Sequence, residues 1–337
     1  MIRKIYKVNK AGSLNKLKLV EENFSEPAPE EVTVDVKTIG LNFADLFAIQ
    51  GLYSATPKGS FIPGLEYSGM VSTVGENVTD FKVGDRIMGV TKFGAYATKL
   101  NIHQRYIQKL PDDWSFEDGA SYIVQGLTAF YALVELGNIK DNYSILIHSA
   151  AGGVGIYANR IAKQYNAFTI GTVGSKSKFD FLKNEGYDEV IVRDDKFSTN
   201  LQKVVQNREL NIVLDSVGGK IFSESFKLLS PTGRIIVFGG AQFMSHSARP
   251  NYFNIMLKYL NRPKLDPLSL ANRNKSVMGF NLIYLWEEED LQEFLFRMSN
   301  LNLGKPHIGH IYSFSDLPSA LKLFQSGGTI GKVVIKL

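Results

Sequence analysis

Across 337 residues there is not one cysteine. That absence removes disulfides, thiolate zinc ligands and a cysteine nucleophile together. Long apolar runs are missing as well: no stretch of eighteen apolar residues occurs, so no membrane-spanning helix is expected. The opening segment MIRKIYKVNKAGSLNKL has charge but not the apolar core of a secretory leader, and a cytoplasmic location is expected. Charge of one sign is also scarce. The formal net charge is +5, and basic residues are not gathered into a stripe with interleaved aromatics, which argues against a nucleic-acid partner. Only KYLNRPKLDPLSLANRNK, 258–275, concentrates cations. Its plain reading is a solvated connecting lobe, and its sharper one a patch for anionic lipid or an anionic substrate tail.

What is present divides the chain in two, as its length suggests. The first third reads as β. VTVDVKT alternates Val32, Val34 and Val36 with polar neighbours, and YSGMVSTVG, GDRIMGV and GAYATKLNI follow between glycine-rich turns, the texture of a small barrel. From about residue 123 short apolar runs alternate with helical segments: YSILIHS, AFTIGTV, DEVIV, LNIVLDSV and GRIIVFGG as strands, and VGIYANRIAKQY, KSKFDFLKNEG, FSTNLQKVVQN and KIFSESFKLLS as helices. That alternation predicts an α/β domain with a doubly wound parallel sheet. The closing GKVVIKL lacks a helical partner and is expected to return to the β domain, which makes the α/β domain an insertion.

ILIHSAAGGVGIYANRIAK places Ala150-x-Gly152-x-x-Gly155 between the first strand and first helix of the βαβ run, the context that supports a dinucleotide fingerprint. Gly152 lets the backbone approach a pyrophosphate, Gly155 lets helix and strand pack, and free N–H groups of Ala151, Gly153 and Val154 stand at the helix start. On the second strand, GTVGSKSK offers Ser175, Lys176 and Lys178, with no carboxylate before Asp180. A cationic, hydroxyl-bearing pocket suits a 2′-phosphate, so NADPH is expected over NADH. Arg193 could reach the same phosphate or stack on adenine. GGTIGKVV at 327–334 imitates a nucleotide P-loop but is one residue short, has Val333 in place of the magnesium-binding hydroxyl, and leads into a strand. His307-x-x-His310 lacks a nearby third ligand, and WEEED at 286–290 reads as an acidic helix start. His148 reads as a satisfied core residue. No G-x-S-x-G elbow supports hydrolase chemistry.

A β domain, an inserted dinucleotide domain and a returning strand resemble the plan of the medium-chain dehydrogenase/reductase superfamily. GLNFADLFAIQGLY, IPGLEYSGMVSTVGENV, VGDRIMG, VQGLTAFYAL, SAAGGVG and GKVVIKL are similar to its zinc-free quinone oxidoreductase branch. ANRNKSVMGFNLIYL and the insert before it are similar to the synaptic vesicle VAT-1 homologue subgroup. The resemblance implies a GroES-like catalytic domain at 1–122, completed by 305–337, around an NADP-binding Rossmann domain at 123–304. Asn42, Leu65 and Gln125 stand where zinc-dependent relatives carry metal ligands, and Ala44 where a Ser or Thr relays protons, so no metal is expected. Without a Lewis acid, quinones and α,β-unsaturated carbonyls are the acceptors implied. Asn42 and Gln125 are expected to donate amide hydrogens to the acceptor carbonyl, and Tyr53 to give the proton. Thr128, Phe238, Gly239, Phe280 and Asn281 are expected to line the nicotinamide site. The dull readings are a capping role for Asn42 or Gln125, a local hydrogen-bond network for Asp45, a core-edge aromatic in Tyr53, and a carboxylate balancing a nearby cation for Glu66. A homodimer through 276–282 is implied. Two alternatives stay open: an enoyl thioester reductase, and a VAT-1-type NADPH-binding adaptor whose YFNIMLKYLNRPK lies on a membrane surface.

Overall fold

The computed structural model describes residues 2–245, 247–285 and 291–337. The expected acidic helix start at 286–290 lies outside them. Glu31–Gly40 is the hub of the first domain. It pairs antiparallel with Glu66–Val74, with Lys99–His103 and with the closing strand Lys332–Lys336. The seven-stranded sheet runs in the order Ile308–Ser313, Lys332–Lys336, Glu31–Gly40, Glu66–Val74, Arg86–Val90, Ile107–Lys109, with Lys99–His103 joined to the hub. The alternating valines 32, 34 and 36 are buried as their period requires. GAYATKLNI yields a strand only over Lys99–His103, because residues 96 and 98 hydrogen-bond instead to Tyr6 and Lys4 of the first strand.

The second domain holds a six-stranded parallel sheet built from Ser144–Ile147, Phe168–Val173, Glu189–Val192, Ile212–Asp215, Arg234–Val237 and Ser276–Gly279. Their spatial order is third, second, first, fourth, fifth, sixth. The order therefore reverses between the first and fourth strands, the crevice where such sheets accept ligands. The first, second and fourth strands are almost wholly buried, which explains their continuous apolar runs, while Glu189–Val192 lies at the sheet edge and buries only Ile191. KSKFDFLKNEG opens as a tight turn, Lys176–Lys178, before the helix Phe179–Asn184, and Gly186 ends it with φ of 84°. The sixth strand stops at Gly279 because Leu282–Leu285 turns helical.

The insert after the fifth strand carries the helices Tyr252–Leu260 and Pro267–Arg273. Its base is tied to the first domain: Leu14 N–H donates to the Ala248 carbonyl at 2.9 Å, and Gln50 and Gln325 both donate to the Ser247 carbonyl, at 3.3 and 2.9 Å. Beyond that base, Phe253, Met256, Tyr259 and Leu260 face solvent. No described helix is long and apolar enough to cross a membrane.

His148, one residue past the first parallel strand, is 1 % exposed. Its Nδ1 meets Thr172 Oγ1 at 2.8 Å and its Nε2 meets Ser225 Oγ at 3.0 Å. Burial, with a smaller push from Arg193, depresses its pKa to about 3. Since the ordinary value is 6.5, the unfolded chain takes up the proton first. Stability is therefore full above pH 6.5 and drains away as pH falls toward the folded value. Taking the protein from pH 7 to 5 should cost about 2 kcal/mol through this residue. Urea melts at the two pH values should reveal that increment and its loss in His148→Asn; an unchanged increment in the variant would assign it elsewhere.

Candidate active site

The glycine turn begins where Ser149 adopts a left-handed φ of 54° and bends the chain out of the sheet. Gly152 N–H donates to the Ser149 carbonyl, and Gly152 flanks the helix Gly153–Gln164 in extended conformation. A Cβ on Gly152 would meet only the Ser149 carbonyl, at 3.3 Å, so its backbone lies open to a ligand; one on Gly155 would strike Ala150 at 2.5 Å. The two glycines thus divide the tasks expected of them, access and helix–strand packing. First-turn N–H groups lack intrahelical partners and carry the positive end of the helix dipole. The residues present fit a pyrophosphate. Gln125 closes the turn from the side: a Cβ on Gly153 would fall 1.4 Å from its Oε1, which has no hydrogen-bond partner. The carbonyl of Ala151 accepts the Gly331 N–H at 2.8 Å, so the turn also touches the loop before the closing strand.

Asn42 precedes the helix Phe43–Gln50, and its N–H donates to Asp45 Oδ2 at 2.8 Å. Its Oδ1 accepts from Lys332 Nζ at 2.9 Å, while Nδ2 donates to the Gly40 carbonyl at 3.2 Å and reaches Glu66 Oε2 at 3.5 Å. Lys332 Nζ meets Glu66 Oε2 at 2.6 Å, with both side chains at or below 1 % exposure. Glu66 Oε1 accepts the Val124 N–H at 3.0 Å, at the start of the helix Ile123–Phe130 that bears Gln125 and Thr128. Asp45 accepts from Tyr96 Oη at 3.0 Å, and burial lifts its pKa to about 7. The carboxylate of Glu66 does balance a cation, and Asp45 does hold a local network. The amide of Asn42 is engaged within this network rather than free.

At the join of the domains Tyr53 packs against both hydrophobic cores. Its hydroxyl donates to Asn281 Oδ1 at 2.7 Å. Burial first raises its pKa to about 12, so the phenol stays protonated. Phe280, next to Asn281, stacks with Phe238 at 6.2 Å and meets Tyr131 at 5.0 Å. Tyr131 opens a π-helical stretch, Tyr131–Leu136, continuing the Gln125 helix. Thr128 Oγ1 donates back to the Val124 carbonyl at 2.6 Å and keeps its lone pairs free to accept. A Cβ on Gly239 would come within 2.9 Å of the Ser216 carbonyl, which explains a glycine where the fourth and fifth strands end side by side.

The cationic end is arranged differently from the expectation. Ser175 caps its tight turn and bonds Ser177 Oγ at 2.9 Å. Lys178 is not a loose solvent cation: Nζ donates to the carbonyls of Gly327 and Thr329 at 2.8 and 2.7 Å, two of its three donors. Arg193 folds back onto the Thr172 carbonyl and Oγ1 at 2.8 and 2.9 Å. Burial depresses both cations, Arg193 to about 10, and Arg193 adds to the depression of Lys178. Two crowded, partly desolvated cations repel each other, a cost that an anion between them would relieve. The expectation did not include Lys332, and the signal for it was a lysine directly opening the apolar run Val333–Ile335 of the closing strand. Among the described residues no group of three potential metal ligands forms; His307 packs on Phe181 at 4.6 Å.

Residues 28–133 match the alcohol dehydrogenase GroES-like domain family and residues 153–300 the zinc-binding dehydrogenase family. The synaptic vesicle membrane protein VAT-1 homolog of Danio rerio is 34 % identical over 330 residues, 96 % of this chain and 68 % of the relative. The Escherichia coli quinone oxidoreductase complexed with NADPH is 28 % identical with a TM-score of 0.85, covering 100 % of both chains. The CurK enoyl reductase is 25 % identical with a TM-score of 0.83, covering 99 % of both. Sheet topology, glycine turn and these likenesses agree: the chain belongs to the medium-chain dehydrogenase/reductase superfamily of oxidoreductases, in the neighbourhood of the VAT-1 homologues and quinone oxidoreductases.

Proposed function

We propose that this chain is a zinc-independent, NADPH-dependent reductase of quinones or α,β-unsaturated carbonyls. The observation that carries the reading is the Tyr53 hydroxyl, protonated and held at 2.7 Å from Asn281 across the join of the two domains. NADPH supplies a hydride. Ala151, Gly153 and Val154 hold its pyrophosphate through backbone N–H groups, with Gly152 giving the close approach and Gly155 setting the turn. Ser175, Lys178 and Arg193 take its 2′-phosphate, Lys178 with the donor left over from its two carbonyl bonds. Phe238, Gly239, Phe280, Asn281 and Thr128 line the nicotinamide. An acceptor carbonyl shares the second N–H of Asn42, whose contact to Glu66 is long at 3.5 Å, and Gln125 borders the same space. Tyr53 then returns a proton to the enolate formed when hydride reaches the β-carbon. Asn42, Leu65 and Gln125 are poor zinc ligands, which fits an acceptor already electrophilic. The likeness to the CurK enoyl reductase keeps enoyl thioesters within that class. A homodimer forms along Ser276–Gly279, the last strand in the order of its sheet.

A second reading is favoured by one observation, the exposed apolar residues of Tyr252–Leu260 beside Lys258 and Arg262: an adaptor on anionic membranes. Sedimentation with phosphatidylserine vesicles, together with no NADPH oxidation by any quinone, enal or enoyl thioester, would select it.

Two measurements test the reductase. Tyr53→Phe should lower the enone rate by about a hundredfold or more while NADPH affinity, read by fluorescence titration, stays within about twofold; an unchanged rate removes Tyr53 as the proton donor. Lys178→Ala should weaken NADPH by about tenfold, the worth of one charged contact, and barely affect NADH. Equal loss for both would reduce Lys178 to its bonds with the 327–329 loop.

A further inference from the structure

Lys332 lies in the network around Asn42 but has no role in the reaction proposed so far, yet it is the most deeply withdrawn cation there. Its side chain is 1 % exposed and that of Glu66 is 0 %. Burying such a pair rarely stabilises a protein more than an apolar pair of equal volume, because each ion loses its hydration. The pair therefore asks for a reason other than stability.

The geometry points to one. Lysine can only donate, so its 2.9 Å contact fixes the oxygen end of the Asn42 amide and turns the NH2 end toward Gly40 and Glu66. Glu66 is shared. Oε2 receives Lys332 at 2.6 Å and lies 3.5 Å from Asn42 Nδ2, and Oε1 receives the Val124 N–H at 3.0 Å. A carboxylate on that N–H anchors the first turn of Ile123–Phe130, the helix presenting Gln125 and Thr128. One ammonium thus sets two things at once: which atoms of Asn42 can donate, and where the helix bearing Gln125 begins. A bond to the amide oxygen also polarises the amide and strengthens its N–H groups as donors.

We propose that Lys332 is a positioning residue for hydride transfer, holding Asn42 directly and the Gln125 helix through Glu66. It touches no reacting atom. The proposal rests on the reductase reading above and adds to it a residue from the far end of the chain.

The experiment compares full-length wild type with Lys332→Met, Lys332→Arg and the double variant Lys332→Met with Glu66→Gln. Active sites are counted by NADPH titration, and single-turnover NADPH oxidation is followed with a panel of quinones and enones. Lys332→Met should lose at least tenfold in rate per NADPH-binding site, with NADPH affinity changed by less than about threefold. Lys332→Arg, which can still donate to both partners, should recover part of the loss. The double variant removes both charges and so avoids an unpaired buried carboxylate; it should fold and remain slow. A folded double variant as fast as wild type would overturn the proposal, as would a Lys332→Met enzyme whose only defect is fewer binding sites. If wild type itself oxidises no NADPH, the reductase reading fails instead. The positioning claim is then judged by crystal structures of wild type and the double variant: it survives if the Asn42 amide turns away from its wild-type orientation and falls if the amide stays.

Discussion

A lysine ammonium and a glutamate carboxylate that have both left water must find each other and every remaining partner on the spot. Lys332 and Glu66 do so with Asn42 and the Val124 N–H, and those four positions come from four distant parts of the chain. None of the charges can be desolvated until the closing strand has returned to Glu31–Gly40 and the helix Ile123–Phe130 has been laid against them. A half-formed version of this network would be worse than an apolar core, since each missing contact leaves a charge unmet. The small domain cannot be finished by its own first residues; it needs the last ones.

Charge is distributed unevenly along the join of the domains, and the unevenness has a chemical sense. Around Tyr53 the phenol is kept protonated by burial, and Asp45 is pushed toward its neutral form. Deeper, His148 is kept uncharged. Past the ends of the second and third parallel strands, Lys178 and Arg193 are crowded near each other and partly desolvated. A neutral phenol can give up a proton, whereas a pair of crowded cations favours an anion.

Much of this was legible in the chain. The alternation of short apolar runs with helical segments predicted the parallel sheet because strands covered on both faces must be apolar throughout, as in SILI at 144–147. The glycine turn was readable because its requirements are local: Gly155 lies against Ala150 only five residues away. His148 was readable as a satisfied core residue from its apolar flank. What escaped was non-local. Nothing near Asn42 announces that its oxygen will be claimed by a lysine 290 residues later, and nothing near Lys178 announces that two of its donors will be spent on carbonyls at 327 and 329. Polar side chains seek partners through space, and the choice among partners is made by packing.

The insert shows the same dependence from the other direction. Its base is held by the first domain through Leu14, Gln50 and Gln325, and Tyr252 Oη adds a bond to the Gln50 carbonyl at 3.2 Å. Its far end is held by the second domain, where Lys275 Nζ donates to the Phe226 carbonyl at 2.9 Å, while Lys258 Nζ closes the insert on itself at the Gln242 carbonyl, 2.7 Å away. A segment anchored at both ends cannot follow one domain without straining its ties to the other. Backbone carbonyls are the acceptors in all these ties, so mutating an acceptor side chain would not release the strap; shortening the donors Gln50, Gln325 or Lys275 would. The exposed helix Tyr252–Leu260 rides between these anchors. Its outer face is therefore carried on ties to both domains rather than to one.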